Sequence, residues 1–393
     1  SRRYSSRMGK SPIFHKVTPV FVGGTGRSGT TVMGDLLGKH PDVRTSTPIE
    51  IKFLSNRSGL LDVVFGRDES PNKKKETVSI FHYRTYRKRK LREKEKLADI
   101  LAEFEDQVWN KWWDIDAPPP HGRGLISGIS RSNLEKLMTS LRRDLKINRI
   151  WAARRFMKRF IALQDEAGSE KYWVETTPMN IPTADKLLKL FPNSLFITMV
   201  RDPRDVIASL LTKNWGPTTP MEGLTWIEKR LTDGHNALKA VPAKQQITIA
   251  LEDLAINQRE ATYRKVMSFL KISDSPAMRK FFNEELTPAN ATSGRWKQEI
   301  SSSEFESAAS ALIQSPNFSN LKLAAESDPW VVHYQRGGKI LELLAQNLEE
   351  HADGEFVKVL ADEALTWRSR IFGDSLHMFL GELSDDLISQ NSH

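Results

Sequence analysis

The chain of 393 residues contains no cysteine. Disulfide bonds, thiolate metal sites and cysteine nucleophiles are therefore excluded for this chain, and a reducing, bacterial cytoplasm is favoured as its setting. No stretch of about 18 consecutive apolar residues occurs, so no membrane-spanning helix is predicted. Acidic residues are fewer than basic ones, with 49 Asp+Glu against 58 Lys+Arg. The resulting net charge of +9 favours an anionic partner.

A glycine-rich loop at residues 23–31 lies between two apolar patterns. Residues 17–22 are apolar and mostly β-branched, which predicts a buried strand. Residues 32–37 carry apolar side chains at helical spacing, which predicts a helix directly after the loop. A strand, a glycine loop and a helix start together present backbone N–H groups to a phosphate.

The loop of residues 24–31 differs from a Walker A motif at one position, because Thr30 stands where the lysine belongs. Its only cation is Arg27, whose planar guanidinium suits an anionic group with several oxygens. The residues predicted to bind that group are Thr25, Gly26, Arg27, Ser28, Gly29, Thr30 and Thr31. A nucleotide or sugar kinase of the P-loop class and a glycine turn without function are the alternatives.

Strand patterns alternate with helix patterns in the rest of the chain. Strands are predicted at residues 172–174, 195–200 and 247–251, each followed by a helical pattern. This order predicts an α/β fold, a P-loop-like doubly wound parallel sheet with helices on both faces. The α/β domain is predicted over residues 17–300, with a helical insertion at 55–170. Outside it we expect a loose basic arm at residues 1–16 and a helical C-terminal extension at 301–393, packed on the core.

The insertion contains two unusual segments. Residues 73–75 and 84–96 form a basic tract, which is either a solvated helix face or a patch for a polyanionic or membrane-borne substrate. Three tryptophans occur within residues 109–113, before a turn-rich segment at 118–124. They fit ordinary core packing, or a surface that stacks on a sugar ring.

Residues 26–31 and 201–209 together resemble the two cofactor signatures of sulfotransferases that use 3′-phosphoadenosine 5′-phosphosulfate (PAPS). The resemblance is to bacterial members, close to the tyrosylprotein and carbohydrate sulfotransferase branch. It implies that the loop holds the 5′-phosphosulfate, with Arg27 next to the leaving phosphate. It also implies that Arg201 and Ser209 hold the 3′-phosphate.

A third, shorter segment at residues 293–297 resembles the part of this family that closes over the nucleotide. It implies cofactor contacts from Arg295 and Trp296. The implied product is adenosine 3′,5′-bisphosphate, and no metal site is expected.

The resemblance also implies a base that deprotonates a hydroxyl acceptor for in-line attack. Glu50 is the only carboxylate within residues 43–61, and we predict that it is this base. Glu175, at the end of a predicted strand, is the reserve candidate. Thr176 stands where many relatives carry a lysine, so the hydroxyl of Thr176 or Thr177, or another cation, is expected to replace that lysine.

The predicted acceptor is a carbohydrate, a glycolipid or another hydroxylated metabolite. No nucleic-acid-binding motif is present, so nucleic acid is not a predicted partner. Peripheral membrane contact through the basic tract is a further hypothesis. A catalytically inactive relative that binds nucleotide or polyanion is the non-enzymatic alternative.

Overall fold

The computed structural model describes residues 17–67, 96–115, 124–164, 170–213 and 215–300. Four predicted features lie outside the described residues: the arm of residues 1–16, the basic tract except Lys96, most of the turn-rich segment 118–124, and the C-terminal extension 301–393. In the part of the chain that is described, no helix is both long and apolar enough to cross a membrane.

Five parallel strands form one sheet in the order β2-β3-β1-β4-β5. The strands are β1 (Thr18–Gly24), β2 (Val43–Thr45), β3 (Tyr172–Glu175), β4 (Leu195–Val200) and β5 (Gln246–Ala250). The predicted α/β class with a parallel sheet is confirmed. Only β2 was not predicted, because three residues are too few to show a strand pattern.

Helices connect the strands and cover the sheet. They are α1 (Thr30–Leu37), α2 (Leu60–Phe65), α3 (Arg131–Asp144), α4 (Arg149–Leu163), α5 (Ala184–Leu190), α6 (Pro203–Leu211), α7 (Pro220–Leu238), α8 (Arg259–Leu270), α9 (Pro276–Glu284) and α10 (Trp296–Glu299). Residues 96–107 are also helical and continue into the π-helix Val108–Trp112. Trp112 is buried in the apolar core, as expected for ordinary packing.

Alternating side chains of β1 enter two separate apolar cores. Val20 and Val22 pack with buried residues of α1, α8 and α9 on one face of the sheet. Phe21 points to the other face and packs with the helices α2–α5. Successive residues of a strand point to opposite faces, so the buried residues 20–24 of β1 require helices on both sides of the sheet, as the structure has them.

The site region is the edge at which the strands end. Glu175, the last residue of β3, pairs with Phe21, whereas β1 continues to Gly24, which pairs with Met199 in β4. The segments that follow β1, β2, β3 and β4 therefore all leave the same edge of the sheet. In open parallel sheets this edge is where ligands bind.

Candidate functional site

The loop of residues 24–31 turns sharply from β1 into α1. Gly26, Arg27 and Gly29 have positive φ angles of 84°, 54° and 95°. Gly24 touches the neighbouring strand so closely that a Cβ there would lie 2.4 Å from the carbonyl oxygen of Met199. Residue 24 must be glycine because a side chain there would collide with the backbone of β4. Residue 29 favours glycine because its backbone is in the left-handed region.

The start of α1 offers several hydrogen-bond donors to a ligand. No side chain caps this helix at Gly29, and the N–H groups of a first helical turn lack intrahelical acceptors. The hydroxyl of Ser28 is buried without a hydrogen-bond partner in the described part of the chain. Thr30 and the partly exposed Thr31 lie beside it. This donor set fits an anion with several oxygens, as a phosphosulfate group has.

The second predicted cofactor segment lies directly against this loop. Arg27 Nε donates a hydrogen bond to Ser209 Oγ at 2.9 Å, and Arg201 contacts the carbonyl oxygen of Arg27 at 3.4 Å. Arg201 also donates to the carbonyl oxygens of Ala291 and Thr292, at 3.2 and 3.1 Å. Residues that are 182 positions apart in the sequence thus meet at one place.

The third predicted segment, residues 293–297, is hydrogen-bonded to a buried carboxylate of α6. Asp205 accepts hydrogen bonds from the N–H groups of Gly294 and Trp296, at 2.9 and 3.3 Å. The Trp296 ring is buried beneath the Arg204 guanidinium, 4.3 Å from the ring centre. Trp296 therefore holds this segment in place by packing, whereas Arg295 is exposed.

At the end of β3, Glu175 ties three segments together. Its Oε1 atom accepts the N–H groups of Ile51 and Thr177, both at 3.0 Å, and the Thr177 hydroxyl. Its Oε2 atom accepts from Asn180 Nδ2 at 2.5 Å. The Thr177 hydroxyl in turn accepts the N–H of Lys52 at 3.2 Å. The fully buried Glu175 carboxylate thereby fixes the backbone that follows Glu50 in sequence.

The backbone on the other side of Glu50 is held as well. The carbonyl oxygen of Ile49 accepts hydrogen bonds from the Thr176 N–H at 3.1 Å, the Thr176 hydroxyl at 2.9 Å and the Ser46 hydroxyl at 3.0 Å. Thr176 is fully buried, so its hydroxyl is committed to Ile49. Glu50 itself is partly exposed. The backbone that carries the partly exposed Glu50 is thus held in place on both sides of this residue.

The burial of Glu175 changes its acidity. Burial raises the pKa of this carboxyl from its ordinary value of 4.5 to about 7. The hydrogen bonds from Thr177, Asn180 and the Ile51 N–H oppose this shift, because they stabilise the ionised form. The two carboxylate oxygens of Glu175 already accept hydrogen bonds from four donors. This arrangement is typical of a side chain that positions its neighbours.

One residue beside the loop was not predicted from the sequence. Arg230 of α7 lines a cleft together with Gly24 and Thr25. Nothing in the pattern of α7 distinguishes Arg230 from the other charged residues of an amphipathic helix, so its position depends on how α7 packs.

The family of this chain is identified by a comparison with models of protein families. The family model described as "Sulfotransferase family" matches residues 19–276. Similar solved structures include a sulfotransferase of Mycobacterium avium (14% identity, 77% of each chain covered, TM-score 0.41). Another is the sulfotransferase domain from the curacin biosynthetic pathway (15% identity, 76% of this chain and 98% of that one, TM-score 0.43). A comparison with curated proteins gave no match. Because the family model covers more than half of the 393 residues, the chain belongs to the sulfotransferase family.

Proposed function

We propose that this protein transfers a sulfuryl group from PAPS to a hydroxyl group of an acceptor. Membership of the sulfotransferase family supports sulfuryl transfer in general. The observation that carries the proposal further is the contact between the two signature segments, Arg27 Nε to Ser209 Oγ at 2.9 Å. One ligand with anionic groups at both ends can engage both segments at once, as a 3′,5′-bisphosphorylated nucleotide does.

In this proposal the chain binds the donor at two places. The first-turn N–H groups of α1, with Arg27, Ser28, Thr30 and Thr31, bind the 5′-phosphosulfate. Arg201 and Ser209 bind the 3′-phosphate, and the exposed Arg295 of the third predicted segment adds positive charge. Charge-assisted hydrogen bonds from arginine are among the strongest that a protein offers to phosphate. When bound, the donor supplies an electrophilic sulfur and a leaving phosphate.

Glu50 is the proposed base. Its carboxylate takes the proton of the acceptor hydroxyl while the acceptor oxygen bonds to sulfur and the bond from sulfur to the 5′-phosphate oxygen breaks. Arg27 stabilises the negative charge that develops on the leaving phosphate. Glu175 is less suited to be the base, because its carboxylate is fully buried and already accepts four hydrogen bonds. We assign Glu175 and Thr176 the task of positioning Glu50.

The proposed acceptor is a carbohydrate, a glycolipid or another hydroxylated metabolite. The net charge of +9 supports an acceptor that carries negative charge of its own or lies at an anionic surface. Incubation with labelled PAPS and an extract of the host, followed by identification of the labelled product, tests this part.

Calorimetry with adenosine 3′,5′-bisphosphate tests the donor site. Wild-type protein should bind the nucleotide equally well with and without EDTA. Arg201→Ala should weaken binding by roughly 1.5–3 kcal/mol, because it removes a charge-assisted contact to a phosphate. Arg264→Ala is the matched control, since Arg264 is an exposed arginine of α8 that pairs with Glu260. Equal affinity in Arg201→Ala and wild type would reject the assignment, and a requirement for ATP with magnesium would favour the kinase alternative.

A further inference from the structure

The segment of residues 291–296 lies against the guanidinium of Arg201. The Nη2 group of Arg201 donates hydrogen bonds to the carbonyl oxygens of Ala291 and Thr292, at 3.2 and 3.1 Å, and to the Thr292 hydroxyl at 3.3 Å. Its one other hydrogen bond with the described residues is longer and joins Nη1 to the carbonyl oxygen of Arg27, at 3.4 Å. The orientation of this guanidinium therefore depends mainly on the position of residues 291 and 292.

The other end of the 291–296 segment is held by Asp205, a buried residue in the first turn of α6. Asp205 Oδ2 accepts the N–H of Gly294 at 2.9 Å, and Oδ1 accepts the N–H of Trp296 at 3.3 Å. Both oxygens of the carboxylate thus hold the segment on α6. The buried Trp296 ring also packs in the cluster that contains Val206 and Ile207 of the same helix.

The two sets of contacts are separated by very little chain. Thr292 and Gly294 both have positive φ angles, 49° and 80°, so the backbone turns sharply between Arg201 and Asp205. A displacement of residues 294–296 from α6 would therefore move the carbonyl oxygens of residues 291 and 292 as well. In this way a buried carboxylate is linked to an arginine of the proposed 3′-phosphate site.

We propose that Asp205 is a positioning residue of the donor site, which holds the 291–296 segment so that Arg201 is oriented for the 3′-phosphate before the donor binds. This inference rests on the proposed function and gives a role to a residue outside the predicted binding set. The segment is contacted through Nη2, so the Nε donor and one Nη1 donor of Arg201 remain for the phosphate. An arginine that is already oriented loses less conformational freedom on binding, which raises affinity.

Asp205→Asn is the first test, measured by calorimetry with two nucleotides. Asparagine keeps the size of the side chain but places an NH₂ donor against one of the two backbone N–H groups. The variant should bind adenosine 3′,5′-bisphosphate about tenfold more weakly, because Arg201 loses its orientation. Adenosine 5′-monophosphate lacks the 3′ group and should bind the variant and wild type within about twofold. Tighter binding of either nucleotide would overturn the proposal, because it would mean that Asp205 acts only by repelling phosphate.

Asp144→Asn is the matched control for the loss of a buried carboxylate. Asp144 of α3 is buried like Asp205, and it pairs with Arg143 and Arg155 at 2.9 and 2.7 Å. Both variants should melt below wild type, but Asp144→Asn should bind both nucleotides as wild type does. A similar loss of bisphosphate affinity in Asp144→Asn would show that general loosening of the fold causes the effect, and would overturn the proposal.

A second pair of variants displaces the segment without changing a charge, and remains available if Asp205→Asn does not fold. Gly294 and Gly66 have the same φ of 80°, and a Cβ on either would meet no described atom within 4 Å. Alanine therefore adds only the strain of a left-handed backbone at both positions. Gly294→Ala should weaken bisphosphate binding about threefold and leave monophosphate binding unchanged, whereas Gly66→Ala should change neither. Equal bisphosphate affinity in Gly294→Ala and Gly66→Ala would contradict the proposed link.

A double-mutant cycle tests whether Asp205 acts through Arg201. In the Arg201→Ala background, Asp205→Asn should change the affinity for the bisphosphate by less than about twofold, because the residue that it positions is absent. The same loss in both backgrounds would show that the two residues act independently, and would overturn the proposal.

The behaviour of wild type distinguishes this inference from the function on which it rests. If wild type binds neither nucleotide, or binds both equally well, the proposed 3′-phosphate site is wrong and the role of Asp205 falls with it. If wild type prefers the bisphosphate and Asp205→Asn keeps the same preference, only the role of Asp205 is wrong.

Discussion

Replacing Glu175 by glutamine removes one buried ionisable group while keeping the size of the side chain. The glutamine oxygen can still accept the N–H groups of Ile51 and Thr177, so the backbone around Glu50 should stay in place. Only the hydrogen bond from Asn180 Nδ2 loses its acceptor. We therefore expect Glu175→Gln to fold and to lose about 1 kcal/mol of stability at low pH, where Glu175 is neutral.

The pH dependence of stability should change much more. The pKa of Glu175 is about 7 in the folded protein, against an ordinary value of 4.5. Between these two values the unfolded chain releases the proton while the folded protein keeps it, so the free energy of unfolding falls as pH rises. Each pKa unit corresponds to about 1.4 kcal/mol, which gives a loss of about 3 kcal/mol between pH 4.5 and pH 7. Glu175→Gln lacks this loss and should be the more stable protein at pH 8.

Urea denaturation of both proteins at pH 5, 6, 7 and 8 measures this difference. Other ionisable groups titrate in both proteins, so their contributions cancel in the comparison. The free energy of unfolding of Glu175→Gln, relative to wild type, should rise by about 2.5 kcal/mol from pH 5 to pH 8. Parallel pH profiles would refute the reasoning, because they would mean that Glu175 is ionised in the folded protein throughout this range.

Three further substitutions test the site. Glu50→Gln should keep nucleotide affinity and lose roughly 10²–10⁴-fold in turnover. Glu175→Gln should keep most of its turnover in the same acceptor assay. The reverse result would make Glu175 the base. Arg27→Ala should melt close to wild type but lose turnover, because the exposed Arg27 makes one side-chain hydrogen bond with the described residues, to Ser209. A large drop in melting temperature would contradict this. Gly34→Ala would bring a Cβ within 2.5 Å of Thr176 Cγ2. This substitution should lower the free energy of unfolding by about 1–3 kcal/mol. An unchanged melting temperature would contradict the tight packing of α1 on Thr176.

The fold was largely predictable because its signals are local. Strands such as Leu195–Val200 are short apolar runs that lie in the buried sheet, and their alternation with helical patterns implies a parallel arrangement. The short strand β2 could not be predicted in this way. Its three residues are placed in the sheet by pairing with β3 and have little pattern of their own.

The candidate site was predictable only in part. The glycine loop is visible as a phosphate-type motif, and Arg201 and Ser209 are visible through the resemblance of their segment to a sulfotransferase signature. The hydrogen bond between Arg27 and Ser209 is not visible in the same way, since it joins residues 182 positions apart. The two carboxylates Glu50 and Glu175 were nominated and ranked from the sequence, but only the structure shows that Glu175 is fully buried and Glu50 partly exposed.

The sequence alone determined the chemistry that is available: a phosphate-type loop without its lysine, two arginine-bearing segments and no thiol. The tertiary structure decided which of these groups are accessible and which are committed to partners. It buries Glu175 and surrounds its carboxylate with four hydrogen bonds, ties the Thr176 hydroxyl to Ile49, and places Arg230 beside Gly24 and Thr25 of the loop. The physical reason is that burial and pairing depend on contacts between distant segments, whereas sequence motifs record only the residues that one segment contributes.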